Sequence, residues 1–285
     1  GPWFTGWVVF RSVIFVGNES GEIRMSKEDL VFEVDGPVAV ITLNRPAKRN
    51  AITEEMGERL AECLQRIRRD DAIHAAIITG AGGAFSAGAD LKQRAAGGGA
   101  RAKDQSPATV IDARLAPEWS RVPMEKPLIA AIDGYCLAGG MELALLCDIR
   151  ICSPAAQFGL PEITRGFFAG GGGPQRLARA IPQSLAMEII LTGDRIDAEA
   201  ALRSGLVSRI VAADALMDTA RQIAGRIASH APLAVRAAKE TADAALDQPL
   251  DEALRLGQTL RWIIGQTDDA KEGPRAFAEK REPKY

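Results

Sequence analysis

The sequence predicts an α/β fold, because strand patterns alternate with amphipathic helix patterns through roughly its first two thirds. A β-rich segment over residues 30–43 is followed by a helix pattern over residues 53–69. Two buried strands, over residues 75–79 and 128–132, each end in a glycine-rich loop. Glycine lets the backbone approach a ligand closely, so these strand ends are the expected place for a site.

Local chemistry supports each element in turn. Asp35-Gly36-Pro37 divides the first segment into a hairpin, and Thr53 is a suitable N-cap for the helix that follows. Residues 141–147 have a helical pattern, and residues 149–152 have a strand pattern. Helical patterns then occupy most of the chain after about residue 213, over residues 216–227, 232–246, 250–264 and 269–280.

We expect three regions along the chain. Residues 1–24 are predicted to be an N-terminal extension, native or vector-derived, because Met25 leads directly into the first clean strand pattern. The apolar stretch within this extension contains an arginine and is too short to span a bilayer. Residues 25–212 are predicted to form the α/β core, and residues 213–285 a helical C-terminal module. Residues 93–120, rich in Ala and Gly, are a candidate mobile loop.

The composition argues against several classes of function. The chain has 285 residues, a formal net charge of -2 and a pI of about 5.9, so it lacks the positive charge that binds nucleic acid or an anionic membrane. Its four cysteines form no Cys-x-x-Cys pair, so we expect no metal, reduced thiols and a cytoplasmic location. His74 and His230 stand alone and are expected to be structural.

Three glycine-rich loops lie outside the context of a P-loop or a dinucleotide-binding motif. They cover residues 81–92, 133–143 and 170–173. The second is a strand-to-helix turn, where free N–H groups carry the partial positive charge of a helix N-terminus. Two converging N–H donors would form an oxyanion hole, which suits the negative charge that builds on a carbonyl oxygen, as in a thioester enolate.

Two glutamates are candidates for proton transfer beside these loops. Glu142 lies three residues after Gly139, about one helical turn from that donor. Glu162 follows Pro161, which favours an extended backbone and places the glutamate on a loop. Two carboxyl groups in one pocket can take opposite protonation states, as the addition or removal of water requires. Either glutamate alone is also compatible with an ordinary surface carboxylate.

Four segments in this order resemble the signatures of the enoyl-CoA hydratase/isomerase (crotonase) family. They are residues 44–52, 84–91, 138–143 and 170–177. The second glutamate follows the first by twenty residues, as in that family, and the likeness covers about residues 28–282. The resemblance implies a ClpP/crotonase fold of repeated ββα units, with a C-terminal helical oligomerisation module that builds a homotrimer or a hexamer (dimer of trimers).

The resemblance also implies a role for individual residues. The N–H groups of Ala89 and Gly139 would polarise the thioester oxygen, Glu142 would activate water, and Glu162 would exchange a proton with Cα. Phe277 and Lys280 would approach acyl-CoA, across a subunit interface. The full set of implied substrate contacts is Ala89, Asp90, Leu91, Lys92, Gly139, Phe277 and Lys280. No metal or other cofactor is implied, since coenzyme A is part of the substrate.

The expected reaction is the reversible addition of water across the 2,3 double bond of a trans-2-enoyl-CoA, in fatty-acid metabolism. Both glutamates are present, whereas many relatives with other activities lack one of them. Three alternatives stay open: a double-bond isomerase, a carnitinyl-CoA-type dehydratase, and a non-catalytic relative that binds acyl-CoA or RNA. Phe167 and Phe168 stand where many hydratases have smaller aliphatic residues and a proline, so the acyl preference does not follow from the resemblance.

Overall fold

The computed structural model describes residues 16–17, 23–27, 29–95 and 116–285. Most of the predicted extension at residues 1–24 and most of the candidate mobile loop at residues 93–120 lie outside the described residues. Strands and helices alternate within these ranges, which confirms the α/β class. None of the helices in the described ranges is long and apolar enough to cross a membrane.

The described strands form two sheets. They are β1 (Val16–Gly17), β2 (Ile23–Lys27), β3 (Leu30–Asp35), β4 (Val38–Leu43), β5 (Ala75–Gly80), β6 (Leu128–Ile132), β7 (Tyr135–Leu137), β8 (Ile149–Cys152), β9 (Gln157–Gly159), β10 (Ile196–Asp197) and β11 (Arg209–Ile210). The larger sheet has the order β1-β2-β3-β4-β5-β6-β8-β11, and the smaller one has the order β10-β9-β7. The larger sheet is antiparallel from β1 to β4 and parallel from β4 to β11.

Helices connect the strands and make up most of the C-terminal part. They are α1 (Glu54–Arg69), α2 (Leu91–Ala95), α3 (Gly139–Leu146), α4 (Gly173–Ala180), α5 (Gln183–Thr192), α6 (Ala198–Arg203), α7 (Leu216–Ala228), α8 (Pro232–Asp247), α9 (Leu250–Ile264) and α10 (Asp268–Ala278). Short 3-10 helices cover Pro46–Lys48, Glu118–Arg121, Pro161–Arg165 and Ala213–Ala215. The four predicted C-terminal helices are therefore confirmed, with ends that agree to within two residues.

The predicted hairpin and first helix form as their local sequence indicates. Asp35 pairs with Val38, so Gly36 and Pro37 make the turn. The Thr53 hydroxyl accepts the Met56 N–H across 3.2 Å and caps α1. Strand β2, by contrast, is absent from the sequence-based prediction. Its five residues are too few to show a clear period, and pairing with β3 decides their conformation.

The parallel sheet is covered on both faces. Alternate residues of β4 point in opposite directions, so Ile41 packs toward α1 while Val40 packs toward α7. Helix α7 presents small side chains such as Ala220 and Ala224 to the sheet and can therefore lie close to it. Burial of each large aliphatic side chain in these layers contributes about 1.5–3 kcal/mol. The parallel strands of this covered sheet all end at the same edge.

The division of the chain into an N-terminal extension, an α/β core and a helical C-terminal module stays a prediction. Strand β2 (Ile23–Lys27) spans the expected boundary between residues 24 and 25. Helix α7, just beyond the expected boundary at residues 212 and 213, packs on the sheet rather than away from it. Helices α8 and α9 pack against each other.

Candidate active site

The loop after β5 lies along β7, the strand that leads into α3. The Ser86 N–H donates to the Tyr135 carbonyl across 2.8 Å, and the Leu137 N–H donates to the Ser86 carbonyl across 2.9 Å. Ser86 and Cys136 thereby form an isolated parallel bridge. This bridge brings together the first two glycine-rich loops, which are about 50 residues apart in the sequence.

The two predicted oxyanion donors lie close together. A Cβ atom added at Gly139 would lie 3.6 Å from the backbone nitrogen of Ala89. Gly88 has φ of +93°, and a side chain there would clash with the Ala138 Cβ, so only glycine permits this approach. Within the described part of the chain, neither the Ala89 N–H nor the Gly139 N–H has a hydrogen-bond acceptor. Both donors are therefore available to a ligand oxygen.

Ala138 orients the second donor through an unusual backbone conformation. It is the N-cap of α3, with φ of 53° and ψ of -128°, a region that costs a residue with a side chain about 1–3 kcal/mol. Its N–H donates to the Gly159 carbonyl across 2.9 Å, and its carbonyl accepts the Glu142 N–H across 3.0 Å. These bonds hold the conformation. Helix α3 therefore begins at Gly139, two residues before the predicted start at residue 141.

Glu142 lies in α3 and is buried, with 4% of its surface exposed. Its Oε1 accepts the Gly171 N–H across 2.6 Å and the Gly173 N–H across 3.0 Å. Burial has the largest effect and raises the pKa of this carboxyl above its ordinary value, while the two N–H donors and the charge of Arg176 offset part of the rise. The donors favour the carboxylate, so Glu142 is suited to accept a proton.

Glu162 is also buried, with 6% of its surface exposed, but its environment is different. Among the described residues, its Oε2 finds no hydrogen-bond partner. Burial, followed by the negative charge of Glu142, raises the pKa of Glu162 to about 7. A neutral carboxyl is therefore accessible near neutral pH, and Glu162 is suited to donate a proton.

The prediction that Glu162 lies on an extended loop is wrong. The residue belongs to the 3-10 helix Pro161–Arg165, with Pro161 at its first position. The fixed φ of proline matches the start of a helix, and its missing N–H costs nothing there. This short helix directs the Glu162 carboxyl inward toward Glu142, close enough for the charge of Glu142 to raise the pKa of Glu162.

The other predicted substrate contacts differ in their hydrogen bonds and in their exposure to solvent. The Asp90 carboxylate accepts the N–H groups of Lys92 and Gln93 and pairs with Arg45 across 3.2 Å, so it begins α2 and fixes the loop. Leu91 and Lys92 are exposed. Phe277 is 87% exposed, so this single chain does not bury its side chain against the two glutamates. Lys280 is exposed and follows α10 with φ of 52°.

The N–H groups of Gly171 and Gly173 are site elements that the sequence-based prediction lacks. Their segment belongs to the fourth family-like motif, but no spacing rule connects it to Glu142. Arg45 and Asn50 are two further site residues that the sequence does not predict. Their hydrogen bonds hold the loop that carries the Ala89 N–H. The Asn50 amide donates to the Ala84 carbonyl across 2.6 Å and accepts the Arg45 N–H across 2.8 Å.

The four cysteines, Cys63, Cys136, Cys147 and Cys152, are free and buried. Burial raises the pKa of Cys63, Cys147 and Cys152 to about 12, so these thiols stay protonated at neutral pH. In the described ranges, no group of three or more His, Cys, Asp or Glu residues could hold a metal ion.

Comparison with known proteins gives consistent matches. The profile described as enoyl-CoA hydratase/isomerase matches residues 33–285. An (E)-benzylidenesuccinyl-CoA hydratase from Thauera aromatica is 42% identical over 261 residues, which cover 90% of this chain and 98% of that protein. A 2,3-dehydroadipyl-CoA hydratase from Escherichia coli is 40% identical over 259 residues, again 90% of this chain and 98% of the relative.

Solved structures agree with these matches. The crystal structure of an enoyl-CoA hydratase from Mycobacterium marinum has a TM-score of 0.82 and 38% sequence identity, and the match covers 90% of this chain and 98% of that one. This likeness confirms the predicted crotonase-like fold. Since both the profile and relatives of about 40% identity span most of its length, the chain belongs to the enoyl-CoA hydratase/isomerase (crotonase) family.

Proposed function

We propose that this protein is an enoyl-CoA hydratase that adds water reversibly across the 2,3 double bond of a trans-2-enoyl-CoA. One observation carries the proposal: two buried glutamates influence each other electrostatically, and Glu142 accepts the Gly171 and Gly173 N–H groups while, among the described residues, Oε2 of Glu162 has no hydrogen-bond partner. The two N–H donors favour the charged form of Glu142, whereas burial and the charge of Glu142 favour the neutral form of Glu162. The relatives compared above are named as hydratases of CoA thioesters, which supports hydration over the alternative reactions.

In this proposal, the substrate carbonyl binds between the two free N–H groups. The thioester oxygen accepts hydrogen bonds from Ala89 and Gly139. Negative charge grows on this oxygen when a nucleophile adds at Cβ, so the two donors stabilise the enolate more than the substrate. Removal of one such donor from other enzymes typically costs about 10²–10³ in rate.

The two glutamates then divide the proton transfers. The Glu142 carboxylate takes a proton from water while the water oxygen bonds to Cβ and the carbon-carbon π electrons move toward the thioester oxygen. The neutral Glu162 then gives its proton to Cα, and the carbonyl re-forms. One proton is taken up and one is released, so the hydration is balanced and the reverse dehydration follows the same path.

The CoA moiety and the acyl group belong to different parts of the site. We infer that the backbone and side chains of residues 89–92 border the CoA moiety, with no separate cofactor. The acyl group would lie nearer to Phe168, an exposed aromatic residue on the segment that leads to Gly171. The hydratase from Thauera aromatica is named for a substrate with an aromatic ring, so an aryl-bearing enoyl-CoA belongs in the substrate panel.

We also infer a homotrimer, or a hexamer built as a dimer of trimers. The C-terminal helices leave large apolar side chains exposed in the single chain, among them Leu250 at 66%, Trp262 at 69% and Phe277 at 87%. Apolar surface of this extent favours contact with another subunit. Sedimentation equilibrium distinguishes the two assemblies from a monomer. The buried, free cysteines fit the reducing conditions of the cytoplasm, the location that we propose.

The activity is tested by following the loss of enone-thioester absorbance with purified protein. The substrates are crotonyl-CoA, a longer trans-2-enoyl-CoA and cinnamoyl-CoA, and mass spectrometry checks for a product heavier by one water. Loss of absorbance together with the hydrated product is the expected result. A shifted double bond without added water would favour an isomerase, and no turnover of any substrate would contradict the hydratase assignment.

A further inference from the structure

We propose that Arg176 is a positioning residue, which holds the glycine-rich loop at residues 170–173 in the conformation that keeps the Gly171 N–H on Glu142. The inference deepens the proposed function, because it rests on Glu142 as the proton acceptor. Arg176 lies in the first turn of α4, immediately after the loop whose N–H groups contact the glutamate.

The guanidinium of Arg176 connects two separate segments through their backbone carbonyls. Its Nη1 donates to the Gly171 carbonyl across 2.7 Å, and its Nη2 donates to the Ser120 carbonyl across 2.9 Å. Ser120 is buried in the 3-10 helix Glu118–Arg121, which contacts α1 and α3. One end of the bridge is therefore anchored in the core, and the other end fixes the loop.

Gly171 forms hydrogen bonds through both its N–H group and its carbonyl group. Its N–H donates to Glu142 Oε1 across 2.6 Å, while its carbonyl accepts from Arg176. A change in the position of this carbonyl would also move the adjoining parts of the residue, including the N–H donor. The arginine makes no direct hydrogen bond to the glutamate, so it positions Glu142 through Gly171 and otherwise affects it only by its charge.

Gly172 leaves room for this guanidinium beside the loop. Its φ is +95°, a left-handed conformation that disfavours side chains, and an added Cβ would clash with Nη1 of Arg176. The absence of a side chain at residue 172 lets the guanidinium reach the Gly171 carbonyl. Lysine could not replace this contact, because its single ammonium lacks the planar fork that reaches two acceptors at once.

Arg176 does not owe its position to an ion pair. Within the described ranges, no carboxylate lies within ion-pair distance of its guanidinium, although Glu142 is close enough for each charge to affect the pKa of the other group. A half-buried cation whose hydrogen bonds go to carbonyls contributes little to solubility. Its position fits a role in orienting the loop and favouring the Glu142 carboxylate.

The kinetic test compares Arg176→Met and Arg176→Lys with Arg179→Met. Arg179 lies on the same helix but is exposed and pairs with Asp247, away from the glutamate. We expect kcat to fall about tenfold to a hundredfold in both Arg176 variants, because a small displacement of a reacting group has this effect, while KM changes by less than about threefold. Arg179→Met should retain wild-type kcat.

A second readout needs no turnover. The Glu142 carboxyl is followed by ¹³C NMR in protein labelled at glutamate, with Glu142→Gln used for assignment. Loss of the Arg176 charge and of a fixed Gly171 donor should raise the pKa of Glu142 in Arg176→Met, while Arg176→Lys should show a smaller rise. If Arg176→Met does not fold by circular dichroism, Arg176→Lys carries both measurements.

The outcomes separate the two proposals. A shifted titration in protein that hydrates no enoyl-CoA would remove the hydratase assignment but keep the positioning role of Arg176. An active wild-type enzyme whose folded Arg176 variants keep the same kcat and the same Glu142 titration would overturn the positioning role alone. A fall in kcat without any change in the titration would also overturn it, since the loop would then not act through Glu142.

Discussion

Gly171 donates its backbone N–H to Glu142 Oε1 across 2.6 Å, although the two residues lie 29 positions apart in the sequence. Glu162, the second buried glutamate, has no such donor at its Oε2 among the described residues. In the proposed mechanism, this difference in hydrogen bonding makes Glu142 the proton acceptor and Glu162 the proton donor.

Replacement of Glu142 by Gln should lower kcat for hydration by about a hundredfold or more, because the amide cannot take a proton from water. The amide oxygen can still accept the Gly171 N–H, so binding of the CoA thioester should persist. Absorbance assays give kcat, and calorimetry with a non-reactive thioester analogue gives the affinity. Glu58→Gln, at an exposed carboxylate on α1, is the matched control. Equal turnover in the Glu142 variant and in this control would exclude the assigned role.

The pH dependence of kcat/KM should show an alkaline limb near pH 7. The reaction needs one proton on the pair of glutamates, and the pKa of about 7 at Glu162 marks its loss as the pH rises. Hydration consumes no net proton, so dehydration must show the same profile. Measurements of both directions between pH 5 and pH 9 check this. A rate that stays constant from pH 6 to pH 8 would contradict the protonated form of Glu162 as the proton donor.

Glu162→Gln should stabilise the fold above neutral pH while it lowers activity. The folded pKa of about 7 lies above the value of about 4.3 for a free glutamate, so the stability associated with this group is lost as the pH rises between these values. Glutamine does not ionise. After allowance for solvent screening, we expect a gain of about 1–2 kcal/mol in the free energy of unfolding at pH 8.

Urea denaturation of wild type and Glu162→Gln at pH 5 and pH 8 measures this difference. The gain should be smaller at pH 5, where the wild-type Glu162 is already protonated in the folded state. A variant that is less stable than wild type at pH 8 would show that the carboxylate is satisfied in the fold.

Replacement of Gly88 by Ala should lower kcat/KM by about a hundredfold, the effect of losing one oxyanion donor. The added methyl group would clash with Ala138 and force the Ala89 and Gly139 donors apart. Gly205→Ala is the control, because Gly205 also has a positive φ, of +79°, but has open space around it. Both variants should lose about 1 kcal/mol of stability from backbone strain, the Gly88 variant should lose more because of its clash, and only the Gly88 variant should lose activity.

Several elements could be predicted from local chemistry alone. The turn at Gly36 and Pro37 and the N-cap at Thr53 depend on neighbours within a few residues, and both form as expected. The start of α3 differs from the predicted one, because the conformation of Ala138 depends on its hydrogen bond to Gly159. The sequence does not predict the short helix at Glu162, because Pro161 fits an extended backbone as well as a helix start.

The α/β class, the order of the motifs and the identity of the two glutamates depend on residue type and spacing, so they can be predicted from the amino-acid sequence. The contacts of Gly171 and Gly173 with Glu142, the bridge from Arg176 to Ser120 and, among the described residues, the lack of a partner at Glu162 Oε2 are visible only in the fold. Local conformation depends on adjacent residues, whereas desolvation and hydrogen bonding at a buried carboxyl depend on segments that meet only in the folded chain.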